Sequence, residues 1–197
     1  MNTEVVMGVD PSMRSTGIYV SDGSFHHYHL ICSQTTKKVR SFSHPNFSLH
    51  IYEPRAIKGL DAIGKEEAKT YNVSCVIRVF DELLDIYKPC RVMIEAIAMS
   101  AMGRIDELAG LNYAMRLSCV RRNIPVYAIA PTSNKMVFAG NGQATKDMMV
   151  ASWSACEGES NIYKDWLGKH VEDMADAYAL YHYPIACMHD MQIKPYI

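Results

Sequence analysis

A chain of 197 residues, 49% of them hydrophobic, can bury one sizeable core but is too short for two full-sized domains, so one domain spanning 1–197 is expected. No apolar run approaches the ~20 residues that cross a bilayer, and MNTEVVMGVD lacks the basic flank and apolar stretch of a cleavable leader. These features weigh against a membrane-spanning helix and leave a soluble, cytoplasmic protein without a membrane partner as the expectation. The formal net charge of −1 weighs against a broadly basic nucleic-acid-binding surface.

The opening run EVVMGVD is apolar, ends on Asp10 and is stopped by Pro11, which predicts a strand with a carboxylate at its end. Ser15–Val20 and Phe25–Ile31 continue as two strands around Asp22-Gly23, a dipeptide suited to a tight hairpin. His27 and His29 share a face of the third strand while His26 points away. With no cysteine or acid nearby to complete a metal site, they are expected to be exposed strand histidines. From Ser33 to about Lys65 neither periodicity is sustained, and Pro45, Pro54, Gly59 and Gly64 punctuate it, so residues 33–65 read as a long loop or small insertion.

Val73, Val76, Ile77, Phe80, Leu84 and Tyr87 recur at helical spacing and predict an amphipathic helix ending before Pro89. RVMIEAI then forms a short buried strand closing on Glu95. Ile105–Arg122 is again helical, with Arg121 and Arg122 placed to complement its C-terminal dipole or to meet a phosphate. IPVYAIAP is a strand stopped by Pro131, and Ser133–Phe138, Thr145–Cys156 and His170 to about Tyr183 are helical. Antiparallel strands first and strand-helix alternation afterwards predict an α/β domain with a mixed sheet and helices on its faces. The six cysteines (Cys32, Cys75, Cys90, Cys119, Cys156, Cys187) form no CxxC pair and read as reduced, mostly core thiols.

Asp10 and Glu95 end predicted strands, and Asp173 and Asp176, three apart in HVEDMADAYAL, share a helix face. Ala175, Ala177 and Ala179 would let that helix approach the sheet and bring the two pairs together. Four carboxylates in one place repel unless a cation compensates them, and hard oxygen ligands suit Mg2+ or Mn2+. Two such ions can activate a water on one side of a phosphodiester and stabilise the leaving oxygen on the other. Neutralising four of the 21 acids leaves 20 minus 17, or +3. Between Ala101 and Val150, six basic residues (Arg104, Arg116, Arg121, Arg122, Lys135, Lys146) outnumber three acids (Asp106, Glu107, Asp147). The loop Gly140-Asn141-Gly142, ahead of a helix starting near Ala144 or Thr145, could bring its backbone to a phosphate, although an ordinary turn between helices would look the same.

The segment VMGVDPSMRSTG resembles the first motif of the RuvC family of Holliday-junction resolvases. VMIEAIAMSAM resembles the second motif, APTSNKMVFAGNGQATKDMMV the third region, and VEDMADAYAL the C-terminal acidic motif, in family order from near residue 4 to residue 182. The resemblance implies a ribonuclease H-like fold with a mixed five-stranded sheet, three antiparallel strands followed by parallel ones, flanked by helices. It implies that Asp10, Glu95, Asp173 and Asp176 hold metal, two Mg2+ ions replaceable by Mn2+, with Glu172 as the alternative to Asp173 if the helix register differs. Lys135 and Lys146 fall on two lysines of the third region, and Lys146 is expected near the scissile phosphate. Asn141, Arg104 and Met99 complete the expected DNA-binding set. Bacterial members often carry an aromatic residue shortly after the motif-two Glu, whereas Ala96, Ile97, Ala98 and Met99 follow here. Met99 or Met102 is the candidate apolar wedge, with a core or dimer-contact role as the alternative. The long 33–65 segment suggests a viral or divergent member.

The expected function is therefore structure-selective cleavage of four-way DNA junctions by a homodimer in the cytoplasm, at the nucleoid of a bacterial or phage-infected cell. The helix Ile105–Arg122 is the candidate interface. The alternatives are a nuclease for flaps, other branched DNA or RNA-DNA hybrids, and a junction-binding protein without catalysis.

Overall fold

The computed structural model describes residues 4–33, 35–97, 105–158 and 160–184. Six strands form one sheet, β1 (Val6–Asp10), β2 (Ser15–Ser21), β3 (His26–Cys32), β4 (Phe47–Ile51), β5 (Arg91–Glu95) and β6 (Val126–Ile129), in the spatial order β4-β3-β2-β1-β5-β6. Seven helices accompany them: α1 (Lys37–Arg40), α2 (Ala62–Tyr87), α3 (Ile105–Arg121), α4 (Pro131–Ala139), α5 (Lys146–Cys156), α6 (Ser160–Leu167) and α7 (His170–Tyr181). β1 runs antiparallel to β2 and parallel to β5, β2 is antiparallel to β3, β3 is parallel to β4, and β5 is parallel to β6. Every strand except β2 therefore points the same way. The chain ends of β1, β3, β4, β5 and β6, with the start of β2, share one edge of the sheet, where crossing connections leave room for a ligand.

The apolar runs of β1 and β5 follow from burial on both faces. Alternate residues serve two cores. Met7, Val9, Ile18, Val20, Val92 and Ile94 pack beneath α2 and α3 against Phe80, Leu84, Leu111 and Met115. On the opposite face Tyr19, Tyr28 and Leu30 meet Trp153 of α5, Tyr163 of α6 and the alanine-rich side of α7. Trp153 Nε1 donates to the Tyr28 hydroxyl at 2.8 Å, which satisfies an indole otherwise stranded in apolar surroundings. The β2–β3 hairpin turns as expected, with Gly23 at φ +87° and Asp22 Oδ1 accepting from the Ser24 and Phe25 N–H groups.

Four sequence expectations change. The sheet has six strands rather than five, because the 33–65 segment is not plain loop: it contains α1 and the edge strand β4. β4 (FSLHI) is half-buried along most of its length, so no alternation announces it. Helix α2 begins at Ala62, capped by the Asp61 side chain on the Gly64 N–H, well before the periodicity starts at Val73, because its first turns are largely exposed. Helix α6, unforeseen, presents Tyr163 and Leu167 to the core.

His29 is buried at 4% exposure, not an exposed strand residue. Its ring nitrogens meet His50 Nε2 at 3.1 Å and the Tyr87 hydroxyl at 3.0 Å, contacts that β4 and α2 supply. Arg122 is spent on Asp81 (2.9 Å) and Asp85 (2.7 Å) of α2, tying the end of α3 to its neighbour. Among the described residues Cys32, Cys75 and Cys119 are buried free thiols, while Cys90 and Cys156 are free and exposed. No described helix is long and apolar enough to cross a membrane.

Candidate active site

Asp10 and Glu95 are the last residues of β1 and β5, and the parallel register Val9↔Ile94 sets them beside each other on adjacent strands. The other two acids arrive on α7, which lies across β1 and β2. Its approach depends on two glycines. A Cβ at Gly8 would lie 2.2 Å from the Ala177 carbonyl oxygen, and one at Gly17 would lie 2.2 Å from the Asp173 carbonyl oxygen. Gly17 is also the register partner of Asp10. The absence of two side chains on the strands thus lets the α7 backbone dock directly, with Ala175, Ala177 and Ala179 buried on the helix side, and delivers Asp173 and Asp176 to the end of β1.

The electrostatics register this convergence. Asp10 is pushed well above the usual carboxylate range by burial, then by the charges of Glu95, Asp176 and Asp173. Burial and the charge of Asp176 raise Glu95 to about 8. Asp176 rises to about 6, chiefly through burial, with Asp173 and Glu172 adding to it. Two cations oppose these shifts. Lys146, in the first turn of α5, lowers all three, and Lys135 of α4 lowers Glu95 and Asp176. Lys146 Nζ donates to Glu172 Oε2 at 2.6 Å. For Lys146, burial works against the charged form, but Glu172, Asp173 and Asp176 outweigh it and the ammonium is stabilised. Glu172, the sequence-level alternative to Asp173, is thereby the lysine's ion-pair partner.

Several supporting residues gave no functional signal in the sequence. Asn112 of α3 donates to the Glu95 carbonyl at 2.7 Å, and Asn134 of α4 donates to the Asp176 carbonyl at 3.5 Å. Both are buried, and the Oδ1 of each is without a hydrogen-bond partner among the described residues. An asparagine inside a helix is intrinsically unfavourable, and that was the available clue. His170 Nδ1 is hydrogen-bonded to Ser15 Oγ at 2.9 Å and lies 3.9 Å from Asp173 Oδ2, linking the start of α7 to β2 beside the acid.

Of the other expected residues, Asn141 lies in the α4–α5 turn, where its Oδ1 accepts from the Gln143 N–H at 2.9 Å and its carbonyl from the Ala144 N–H. Thr145 caps α5, which begins at Lys146, close to the expected start near Ala144 or Thr145. Met99, Met102 and Arg104 lie outside the described residues.

Among the described residues no group of three or more His, Cys, Asp or Glu side chains is close enough together to hold a metal ion. The donor set nevertheless fits a hard divalent cation. It is all carboxylate oxygen, half-buried and mutually repelling, and Mg2+ takes only one or two carboxylates, completing its shell with water and phosphate. An open edge of this kind suits such an ion better than a cage.

No family model matches the chain. Among curated proteins it is 24% identical over 179 residues to the crossover junction endodeoxyribonuclease RuvC of Chlamydia caviae, covering 90% of each chain. It is 25% identical over 142 residues to RuvC of Salinibacter ruber, covering 72% of this chain and 66% of the relative. Among solved structures, T. thermophilus RuvC in complex with a Holliday junction substrate superimposes with a TM-score of 0.59 at 20% identity, covering 98% of this chain and 99% of that one. The yeast mitochondrial Holliday junction resolvase Ydc2 gives 0.51 at 12% identity, covering 91% and 78%. The chain has the ribonuclease H-like fold of the RuvC resolvases and resembles them along most of its length.

Proposed function

We propose that this chain is a metal-dependent endodeoxyribonuclease that resolves four-way DNA junctions, acting as a homodimer. The observation that carries the reading is the gathering of Asp10, Glu95, Asp173 and Asp176 with Lys146 and Lys135 at one edge of a RuvC-like sheet. Like charges crowded at a half-buried edge are costly, and a site for a divalent cation and a phosphate gives them a purpose.

Asp10, Glu95, Asp173 and Asp176 would hold Mg2+, with Mn2+ as a substitute. When bound, such ions supply an activated water and charge neutralisation at the phosphate. The chain's own residues do the rest. Lys146 places a fixed positive charge beside the carboxylates, where it offsets the charge of a phosphodiester drawn against them, and Glu172 holds that ammonium in place until the anion arrives. Lys135 adds a second positive charge on the same face. Asn112 and Asn134 fix the main chain of Glu95 and Asp176, so these acids meet the substrate already oriented. Met99 and Arg104 are retained as DNA contacts from their sequence positions.

A four-way junction is two-fold symmetric and needs paired cuts, which a C2 dimer of single-site chains would deliver. The α3 face supports that arrangement: Tyr113 and Leu117, one turn apart, are 57% and 53% exposed.

The deciding experiment is nicking of synthetic four-way junctions in Mg2+, with flaps, linear duplex and RNA-DNA hybrid as competitors. Wild-type protein is expected to nick junctions preferentially and Asp10→Asn to be inactive. Wild-type inactivity on junctions, or full activity in Asp10→Asn, would sink the proposal.

A further inference from the structure

On the same sheet edge, but on the α2 side of it, the turn after β1 and the segment after β4 enclose a cavity of about 470 Å³. Arg14, Arg55 and Lys58 line it, with Tyr52, Asn72 and Glu107. We infer that this cavity is a second phosphodiester-binding site, gripping a DNA strand beyond the scissile phosphate. The inference rests on the nuclease reading.

Three observations carry it. First, the cations are held there by construction. The buried Asn72 side chain clasps both main-chain groups of Arg55, accepting from its N–H at 2.7 Å and donating to its carbonyl at 3.1 Å. The Arg55 guanidinium lies 4.1 Å from the centre of the Tyr71 ring, on the wall Arg55 shares with a neighbouring pocket that Glu66 and Glu67 line, so the ring limits its motion between the two pockets. The Tyr52 hydroxyl donates to the Met13 carbonyl at 2.6 Å, binding the post-β4 segment to the turn that carries Arg14.

Second, the charges lack compensation. None of Arg14, Arg55 and Lys58 is ion-paired among the described residues. The only carboxylate in the lining, Glu107, sits in the first turn of α3, where the helix dipole favours negative charge. Three cations around one cavity against one acid favour an entering anion.

Third, the position is right for a continuous strand. Arg14 is four residues from Asp10, at most ~14 Å along an extended chain, or about four nucleotide rises of 3.4 Å. Lys146 and Lys135 stand on α5 and α4, across the sheet from α2. DNA crossing the edge would meet lysines on one side of the carboxylates and this pocket on the other. The surface segment that follows β4 thereby gains a purpose.

The test is DNA binding as a function of salt. Fluorescence anisotropy with a labelled four-way junction, in the Asp10→Asn background, isolates binding from cleavage. Each lost phosphate contact reduces the slope of log K against log salt by ~0.9. The double variant Arg55→Gln/Lys58→Gln is expected to lower the slope by about 2 and the affinity at least tenfold near 0.1 M salt. Arg78→Gln, which removes one exposed charge from the middle of α2, serves as the control for loss of a cation away from the cavity. Melting curves check folding, and should the double variant be unstable, Lys58→Glu alone must reproduce the direction. A slope and affinity equal to those of Arg78→Gln would overturn the inference. Failure of the nuclease reading shows separately, as absent junction cleavage by wild type, and the slope comparison is then read on linear duplex.

Discussion

Replacing Glu95 by glutamine separates the chemistry of the site from its cost to the fold. Burial, and after it the charge of Asp176, lifts the Glu95 carboxyl from 4.5 to about 8, with Lys135 and Lys146 only partly opposing. The folded pKa lies above the unfolded one, so the native state binds the extra proton between those limits. The stability associated with that proton is fully present below pH 4.5 and is lost as pH rises through 8. Between pH 4.5 and 7.5 the loss is ~4 kcal/mol at 1.36 kcal/mol per unit, shared in part with the other acids. Glutamine keeps the shape without the charge, and metal-free Glu95→Gln should therefore gain about 2–4 kcal/mol at pH 7.5. At 2–4 °C per kcal/mol for a chain of this size, melting in EDTA should rise by roughly 5–10 °C, while the difference from wild type shrinks towards zero at pH 4.5. Mg2+ should raise the wild-type melting temperature and raise that of the variant much less, and the variant should lose junction nicking. A variant melting at or below wild type at pH 7.5, or with a pH-independent difference, would refute the account of a repelling, uncompensated cluster.

Four further outcomes follow from the packing. Gly17→Ala sets a methyl group against the Asp173 carbonyl and should cost at least ~1–3 kcal/mol by overpacking, with nicking falling further than stability explains because Asp173 moves; Gly110→Ala, which meets nothing within 4 Å, should instead stabilise α3 by roughly 0.5–1 kcal/mol. Burial, then His27 and His50, depress His29 to about 2. Its contribution is complete above the unfolded value of 6.5 and is lost as pH falls, by ~2 kcal/mol at pH 5, so urea unfolding at pH 7 and pH 5 should show a smaller drop for His29→Asn than for wild type, and an equal drop would contradict the shift. Leu117→Glu on the exposed face of α3 should lower the sedimentation coefficient from dimer to monomer without changing the circular dichroism spectrum; an unchanged coefficient would move the interface elsewhere.

Much of this was legible in the sequence because it is local. Strand ends at Asp10 and Glu95 follow from apolar runs stopped by a carboxylate and a change of composition, and the shared face of Asp173 and Asp176 follows from helical spacing alone. Ala175, Ala177 and Ala179 announced a close helix. The complementary hollows at Gly8 and Gly17 could not be read, since a strand glycine looks the same whether it faces solvent or another backbone. β4 escaped because an edge strand that is half-buried on both faces carries no alternation. The histidines misled for a related reason: His29 is buried by His50 and Tyr87, which come from 21 and 58 residues away.

The sequence by itself singled out the candidate groups: four carboxylates, from residue type, predicted strand ends and helical spacing, and two lysines, from the resemblance of the third region. Tertiary structure decided their relations. It paired Glu172 with Lys146 while keeping its charge within reach of Asp176, put Asn112 and Asn134 behind the main chain of two acids, and brought Arg14, Arg55 and Lys58 to a single cavity. Ion pairs and cavities depend on distances between segments far apart in the chain, and those distances are set by sheet order and by where two backbones can touch.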